Sequence, residues 1–575
     1  MLQNYLKLFR ITKGSDRKKF FVLIFLLIIL TILETVGVGI VIPVIAILLD
    51  EELLKNYKIG KDYYIFIQNF NFFFEFNNFR EKIIILSSII VILFFFLKFL
   101  FTIFITYFQQ YFLFNFHQNI SSDLLKSFVK RDINFHLNKN SSELISDLIE
   151  EINEIISVYS SYILFFTEII IFIFVSMLVL FSVKLQGIVI LSFFLVIGMG
   201  ILLYTKKKLV KLGGKRQFHF AARFNSAKDL LNSIKEIKIL GVENFFINKF
   251  NVHNRQLNKT AIPKRIYIVF PRTLLEFVAV MAIFLITIVL SSGNIYTSQE
   301  IIFVIGLIVT ATIKIFPSVS KIISSVQTIK FGNVAINKVS NYLEYNYQSS
   351  NNRSLEEINF KKNIHININN FKYPGSEKSV LNNLKIDIQK NQCIGIFGDS
   401  GVGKSTLVDI IMGLQILDNK ANILEVDNKN IYKSVQNWRK KFGYVGQTIH
   451  FLNDSIEKNI AFGIEEKNID NGMIMNSLRK AEILDFVNEH PKKINSILGE
   501  DGLNISGGQR QRLGIARALY QDPEILVFDE ATSSLDIKNE KLVMQTINSY
   551  KGSKTMIIIS HKIENLSFCD QIIKL

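Results

Sequence analysis

The chain is poor in cysteine: Cys393 and Cys569 are the only thiols in 575 residues. Two thiols far apart in sequence build no disulfide framework, and no Cys/His cluster has metal-ligand spacing. The half of the chain that carries them is expected to be cytosolic and reduced. Acidic residues are also short. Asp and Glu number 49 against 66 Lys and Arg, a formal net charge of +17. Such a surplus suits either a nucleic-acid binder or the cytoplasmic loops of a membrane protein. No basic-aromatic reader module appears, so nucleic acid is not an expected partner. A cleavage site is missing as well. The basic stretch 1–19 carries Lys7, Arg10, Lys13, Arg17, Lys18 and Lys19 against Asp16 alone. The apolar run that follows continues from Phe20 to Leu49 without a small-residue cleavage motif. It reads as a retained first span rather than a signal peptide.

What is abundant is apolar side chain. Hydrophobic residues make up 49% of the chain, Phe alone 51 of them, and mean hydropathy is +0.29. Six runs are long enough to cross a hydrocarbon core of about 30 Å: 20–48, 83–108, 162–183, 187–204, 266–290 and 301–323. Between Lys206 and Lys264 there are fourteen Lys/Arg and three Asp/Glu, whereas 50–82 is nearly balanced. That asymmetry is the positive-inside signature. It places 109–161 and 205–265 on the cytoplasmic side. In 1–19, Leu2, Tyr5, Leu6 and Phe9 recur at helical spacing, so the segment is expected to lie as a basic helix at the inner membrane surface. Both long cytoplasmic segments read as helices with a break and a short helix at the tip, at 138–144 and 234–238. The external loop 50–81 is strongly aromatic from Tyr63 to Phe74. It reads either as a short helix in the outer interface or as an extension of the spans.

Polar composition returns after Gln327. Residues 331–356 read as a linker, and 357–575 as a soluble α/β domain. Within it, the apolar strand Cys393–Phe397 runs into Gly398, Asp399, Ser400, Gly401, Val402, Gly403, Lys404, Ser405 and Thr406. Strand, glycine-rich turn and helix form a phosphate-binding P-loop. Its backbone N–H groups and helix N-terminus suit anionic oxygens. Lys404 reaches toward β- and γ-phosphates, and Ser405 toward Mg²⁺. Tyr373 is placed to stack on a base. Gln447 closes the apolar strand 442–447, where an amide can reach Mg²⁺ or an attacking water. Ser506, Gly507, Gly508 and Gln509 open a helix with exposed backbone donors. A second apolar strand ends in Asp529, a candidate Mg²⁺ ligand, and Glu530, a candidate general base. Asp536 follows, and His561 ends a third strand within reach of a γ-phosphate.

This ordered set resembles the ATPase domain of ATP-binding cassette (ABC) transporters. Gly398–Thr406 corresponds to the Walker A loop, Gln447 to the Q-loop, and Ser506–Gln509 to the signature. Asp529-Glu530 closes Walker B, Asp536 is the D-loop aspartate and His561 the switch histidine. Ile505 stands where the family usually has Leu. The six preceding spans match the exporter half-transporter layout. The fold class implied is an all-α six-helix transmembrane domain, 20–330, followed by an α/β P-loop ATPase domain. The resemblance also implies ATP and Mg²⁺ as cofactors and a second copy of the chain as partner, because one chain's signature completes the other's P-loop site. Segments 138–144 and 234–238 become the two coupling helices. The implied location is a bacterial inner membrane with the ATPase domain in the cytoplasm.

The spans suggest the cargo. Ionisable side chains inside a membrane need a reason. Lys98, Arg272 and Lys314 all fall in the inner half of their spans, roughly 6–10 Å from the cytoplasmic side at about 1.5 Å per residue. Doubled in a dimer, they suit a pyrophosphate. Local pairing is the alternative: Glu276 is four residues after Arg272, and Lys98 and Lys314 can snorkel. Together with Glu34-Thr35 and Pro43 in the first span and the aromatic loop, these cations resemble the lipid-linked oligosaccharide flippases. That resemblance implies a membrane polyprenyl-pyrophosphate-linked oligosaccharide as substrate. Exporters of lipid A, a peptide or a drug are the alternatives, as is a non-hydrolysing regulator or channel.

Overall fold

The computed structural model describes residues 2–49, 79–292, 298–349, 358–417, 422–499, 505–532 and 535–575. It divides into two compact units: Met1–Lys130 with Lys139–Ser349, and Arg131–Asn138 with Ser350–Leu575. The aromatic loop 50–81 lies almost wholly outside the described residues.

The first unit is helical. In chain order come α1 (Leu2–Ile11), α2 (Gly14–Leu49) and α3 (Phe79–Val129), then α4 (Ile133–Asn138), which belongs to the second unit. Then follow α5 (Ser141–Ser146), a π turn (Asp147–Glu151), α6 (Ile152–Asn232), α7 (Ile234–Leu240), α8 (Glu243–Ser292), α9 (Ser298–Phe331) and α10 (Asn333–Ser349). The six apolar runs fall on α2, α3, both arms of α6, α8 and α9.

Helices α2 and α3 are antiparallel. Asn119 donates to Asp16 at 2.8 Å, the Phe20 and Phe112 rings sit 6.2 Å apart, and a Cβ on Gly37 would meet Phe94 at 3.1 Å. Partner numbers rise on one helix as they fall on the other. That register brings Glu34 level with Lys98.

Helix α6 holds two spans, and its contacts show that the chain doubles back. Val158 lies against Gly332, and Gly213 against the carbonyl of Phe331. Farther along, Glu168 meets Lys321, and Gly198 meets Ile323 and Val319. In one straight helix, residues 158 and 213 would be about 80 Å apart; here both touch the end of α9. The two arms therefore run in opposite directions. The close approach depends on glycine: a Cβ would come within 2.2 Å of the Phe331 oxygen at Gly213, and within 2.3 Å of Val158 at Gly332.

Three expectations need correcting. The N-terminal segment 1–19 is not one interfacial helix: α1 ends at Ile11 and Gly14 already opens α2. Leu8 is buried, Tyr5 is edge-on to Tyr162 and Phe166, and Lys7 donates to Asn337, whereas Leu6 stays exposed. The linker 331–356 is helical through Ser349, because Ala335, Ile336, Val339 and Leu343 form a buried stripe at helical spacing. The short helix before the first cytoplasmic break is Ile133–Asn138, and it groups with the ATPase-like unit. Asn140 instead caps α5, accepting the N–H of Ser142 at 3.2 Å. At the second tip, α7 covers 234–238 and ends on Gly241, whose φ of 65° is left-handed.

The second unit is α/β. An antiparallel sheet has the order β2 (Leu381–Gln389), β1 (Asn363–Phe371), β4 (Ile423–Val426), β5 (Lys429–Asn430). A five-stranded sheet has the order β6 (Phe442–Val445), β7 (Ile525–Asp529), β8 (Thr555–Ile559), β3 (Cys393–Phe397), β9 (Gln571–Lys574), and every pairing in it is parallel. Along β7 and β8 alternate residues enter opposite cores: Leu526, Phe528, Met556 and Ile558 on one face, Ile525, Val527, Ile557 and Ile559 on the other. Burial on both faces is why these strands are unbroken apolar runs.

Candidate active site

Four motif residues follow the carboxyl ends of neighbouring strands of the parallel sheet. Gln447 follows β6, Glu530 follows β7, His561 follows β8 and the loop 398–403 follows β3. Strands about 4.8 Å apart thus carry side chains from four distant sequence regions to one edge, where ligands of parallel sheets bind.

The loop conformation requires glycine. Gly401 has φ 83° and Gly403 φ 108°, both left-handed. A Cβ on Gly403 would also sit 2.9 Å from Leu381. Helix α11 (Lys404–Ile411) starts at once, so its free N–H groups face the loop. Lys404 is buried, 5% exposed. Its Nζ donates to the carbonyls of Gly398 at 3.0 Å and Asp399 at 2.9 Å, and lies 3.9 Å from Glu530. In this state the loop closes on its own lysine.

Glu530 has φ 50°. A non-glycine residue there costs about 1–2 kcal/mol, and the strain lies where the carboxylate is aimed. The turn is held by its N–H, which donates to Ile559 at 3.1 Å. One carboxylate oxygen is 2.5 Å from His561 Nε2, and the other accepts from Gln447 Nε2 at 3.0 Å. His561 Nδ1 faces the Lys404 ammonium at 3.4 Å. Since the ammonium can only donate, Nδ1 accepts and Nε2 carries the proton toward Glu530.

Asp529 lies beside Ser405, whose Oγ donates to it at 3.5 Å. Burial raises the Asp529 pKa, while hydrogen bonds from Ser405 and Tyr444 oppose the rise. These are hard oxygen donors of the kind Mg²⁺ takes, and Ser405, Asp529 and the Gln447 amide oxygen could hold it together. Sequence reasoning missed two groups here. Tyr444, two residues before Gly446, hydrogen-bonds Asp529. Asp409, on α11, is pushed up to about 6 by burial and by the Asp529 charge.

Tyr373 donates to, or accepts from, Thr406 Oγ1 at 2.8 Å, which stands its ring beside the loop. The signature opens α16 (Gly507–Leu519; α12–α15 are the short helices Val435–Arg439, Ile456–Ile460, Asn471–Lys480 and Leu484–Glu489). Ser506 and Gln509 form a reciprocal cap: Ser506 N–H donates to Gln509 Oε1 at 2.9 Å, and Gln509 N–H to Ser506 Oγ at 3.3 Å. Their polar groups are engaged with the helix end, while the cap leaves the N–H groups of Gly507 and Gly508 without an intrahelical acceptor. Asp536 caps α17 (Ile537–Asn548) through Asn539, and Gly508 packs on that same Asn539. The signature and the D-loop aspartate are therefore one packed corner.

Two family models match: "ABC transporter transmembrane region" over residues 63–313 and "ABC transporter" over residues 381–533. Together they span most of the chain, which belongs to the ABC transporters. The structure of a bacterial Atm1-family ABC exporter with ATP bound shares this chain's fold, with a TM-score of 0.78 over 98% of this chain and 94% of that one at 17% identity. The ATP-dependent lipid A-core flippase of Pseudoalteromonas translucida is 36% identical over 203 residues, 35% of each chain. The matched stretch is thus about a third of such a relative's length. A lipid A-core flippase of Francisella tularensis subsp. holarctica is 27% identical over 64% of this chain and 60% of its own. The heterocyst differentiation protein HepA of Nostoc is 29% identical over 69% of this chain and 65% of its own.

In the spans, Lys98 sits 5.6 Å from the Phe95 ring centroid. Arg272 is exposed within the single chain, and no ion pair joins it to Glu276 among the described residues. The Lys314 side chain lies outside them. The structure shows an intramembrane pair the sequence did not reveal: Lys321 donates to the buried Glu168 at 2.6 Å. No periodic signal links those positions, since they lie on different spans.

Proposed function

We propose that this protein is an ATP-driven, homodimeric membrane transporter that moves a lipid with a phosphorylated headgroup from the inner to the outer leaflet. The ATPase part rests on the meeting of Lys404, Gln447, Glu530 and His561 at one sheet edge. When ATP enters, phosphate oxygens replace the Gly398 and Asp399 carbonyls around Lys404. Ser405, Asp529 and Gln447 would hold Mg²⁺, which would supply charge neutralisation to the bound triphosphate. Glu530, freed from His561, takes the proton of the attacking water, and His561 turns to the γ-phosphate. The free Gly507 and Gly508 N–H groups of a second copy cover the phosphates from the other side, with that copy's Ser506 and Asp536. Tyr373 stacks on adenine. The protein works in an inner membrane with its ATPase domain in the cytoplasm.

The observation that carries the cargo reading is Arg272, a cation within a span that pairs with no carboxylate among the described residues. An intramembrane charge without a partner is costly unless a ligand supplies one. Lys98 is its companion in α3, although Glu34 at the same level competes for it. Lys314 is assigned to the same cavity. The relatives named as lipid A-core flippases favour a phosphorylated lipid of that type. A polyprenyl-pyrophosphate-linked oligosaccharide presents the same anionic chemistry and is the second reading. Proteoliposomes containing both fluorescent lipids decide between them: ATP-dependent transfer of the lipid A-type probe is expected. Transfer of neither, with ATP hydrolysis intact, sinks the lipid reading; absence of hydrolysis supports a regulator or channel.

A further inference from the structure

The two thiols that the sequence separates by 176 positions meet in space. Cys393 opens β3, Cys569 lies two residues before β9, and their Sγ atoms are 3.3 Å apart. A disulfide bond is about 2.05 Å long, so closure needs only about 1.2 Å of movement. The backbones are already fixed around the pair. Cys393 N–H donates to the Asp570 carboxylate at 2.9 Å, and Asp570 N–H donates to the Cys393 carbonyl at 2.9 Å. Pairing then continues as Ile394 with Gln571. The parallel ladder holds these strands about 4.8 Å apart, inside the reach of a disulfide.

We propose that Cys393 and Cys569 are a redox-modification site: they close to an intramolecular disulfide by exchange with a low-molecular-weight disulfide of the glutathione class, and reopen on reduction. The two thiols have unequal roles. Cys393 is fully buried, whereas Cys569 is half-buried. Cys393 S–H donates to Cys569. That bond, with the Lys551 ammonium nearby, lowers the Cys569 pKa against the opposing effect of burial; the same bond and burial raise that of Cys393. Lys551 is held in place by Asp570 at 2.9 Å. Cys569 is therefore the attacking thiolate. Its Sγ displaces one thiolate from the small disulfide and forms a mixed disulfide. The Cys393 Sγ then attacks Cys569 Sγ, and the second small thiolate leaves with the Cys393 proton. In total, two protein thiols and one small disulfide give one protein disulfide and two small thiols.

The staple would act on the Walker A strand. β3 runs from Cys393 directly into the P-loop. β9 is its neighbour along its whole length, and Leu575 N–H donates to Phe397 at 2.9 Å. The Leu575 carbonyl oxygen lies 2.9 Å from where a Gly398 Cβ would sit. Oxidation ties the start of this pair as the P-loop contact ties its end.

The test uses the full chain in detergent, incubated with oxidised glutathione, quenched in acid, then alkylated in denaturant and peptide-mapped. Expected is the loss of both alkylatable thiols, a cross-linked peptide joining 393 to 569, and recovery of both thiols with dithiothreitol. Cys393→Ser should instead retain glutathione on Cys569. The oxidised wild type should melt about 5 °C or more above the reduced form, a shift absent from Cys393→Ser. If the wild type keeps both thiols alkylatable, or accumulates glutathione on Cys569 without cross-linking, the proposal fails. Should the variant not fold, the wild-type peptide map decides alone.

Discussion

The two units handle charge in opposite ways. In the ATPase unit, charged and polar groups converge. Lys404, Glu530, His561 and Gln447 lie within contacts of 2.5 to 3.9 Å. In the helical unit, charges are shared out in pairs between helices. Arg216 bridges to Glu150 and the buried Glu151. Lys338 bonds Glu143 and the buried Asp147, which also accepts from Tyr342. Lys264 meets Glu154, and Lys321 meets Glu168. Convergence leaves groups that a ligand can redirect. Pairing neutralises a charge where burial would otherwise be costly. The difference separates machinery from scaffold, and Arg272, exposed within the single chain and joined to no carboxylate among the described residues, fits neither pattern.

The largest test of this contrast is at the converged site. Glu530→Gln should lower ATP hydrolysis by about 10²–10⁴-fold while leaving ATP binding intact. Nucleotide binding and phosphate release measured on the same preparation separate these effects, and near-normal hydrolysis would remove Glu530 from the role of base. Next is Arg272→Ala combined with Lys98→Ala. Lipid-stimulated ATPase should fall by about tenfold, the equivalent of about 1.4 kcal/mol, with basal ATPase retained. Unchanged stimulation would mean that these cations are scaffold like the rest.

Glu168→Gln probes the scaffold directly. It leaves Lys321 without its partner and should cost about 1–3 kcal/mol of stability, a range moderated by the half-exposed lysine. Restored thermal stability in Glu168→Leu with Lys321→Met would confirm that the pair is structural. Loss of transport in that stable double variant would move Glu168 into the machinery.

The smallest effect is expected at Asp427, an acceptor in the turn between β4 and β5. Its carboxylate accepts the N–H groups of Lys361, Lys362 and Asn363 at 2.6, 2.9 and 3.0 Å. Slight burial raises its pKa, but those three donors outweigh it and the pKa is lowered. Asp427→Asn should cost about 1 kcal/mol near neutral pH. Because the folded pKa lies below the unfolded one, the wild-type advantage is full above the ordinary Asp range and disappears as pH falls through the lowered value. Chemical denaturation of both proteins across acidic pH checks this, and a difference that persists at low pH would deny the carboxylate its role.

The candidate ATPase site was largely legible in the sequence because the residues that meet there, Lys404, Gln447, Glu530 and His561, sit within contiguous motifs. Gly401 and Gly403 are dictated by backbone conformation, and Glu530 by its place directly after an apolar strand. What escaped was everything contributed by neighbours across the sheet: Tyr444 on Asp529, Asp409 behind it, and the cap that engages Ser506 with Gln509. In the helical unit the apolar runs were legible but their pairing was not. Hydropathy marks which residues can lie in lipid; it carries no record of which helix faces which. Glu168 with Lys321, the turn-back within α6 and the allegiance of Ile133–Asn138 to the ATPase unit all depend on contacts between segments remote in sequence.

The two kinds of unit, their order and the motifs of the candidate phosphate site are written in the chain itself, since each depends on local periodicity or on a short motif with one workable backbone. Which charges are partners follows from packing between distant segments. The same packing also brought Cys393 to Cys569, because a parallel sheet makes neighbours of strands from opposite ends of a domain. The scarcity of cysteine excludes a disulfide framework, yet the fold sets the chain's two thiols 3.3 Å from one another.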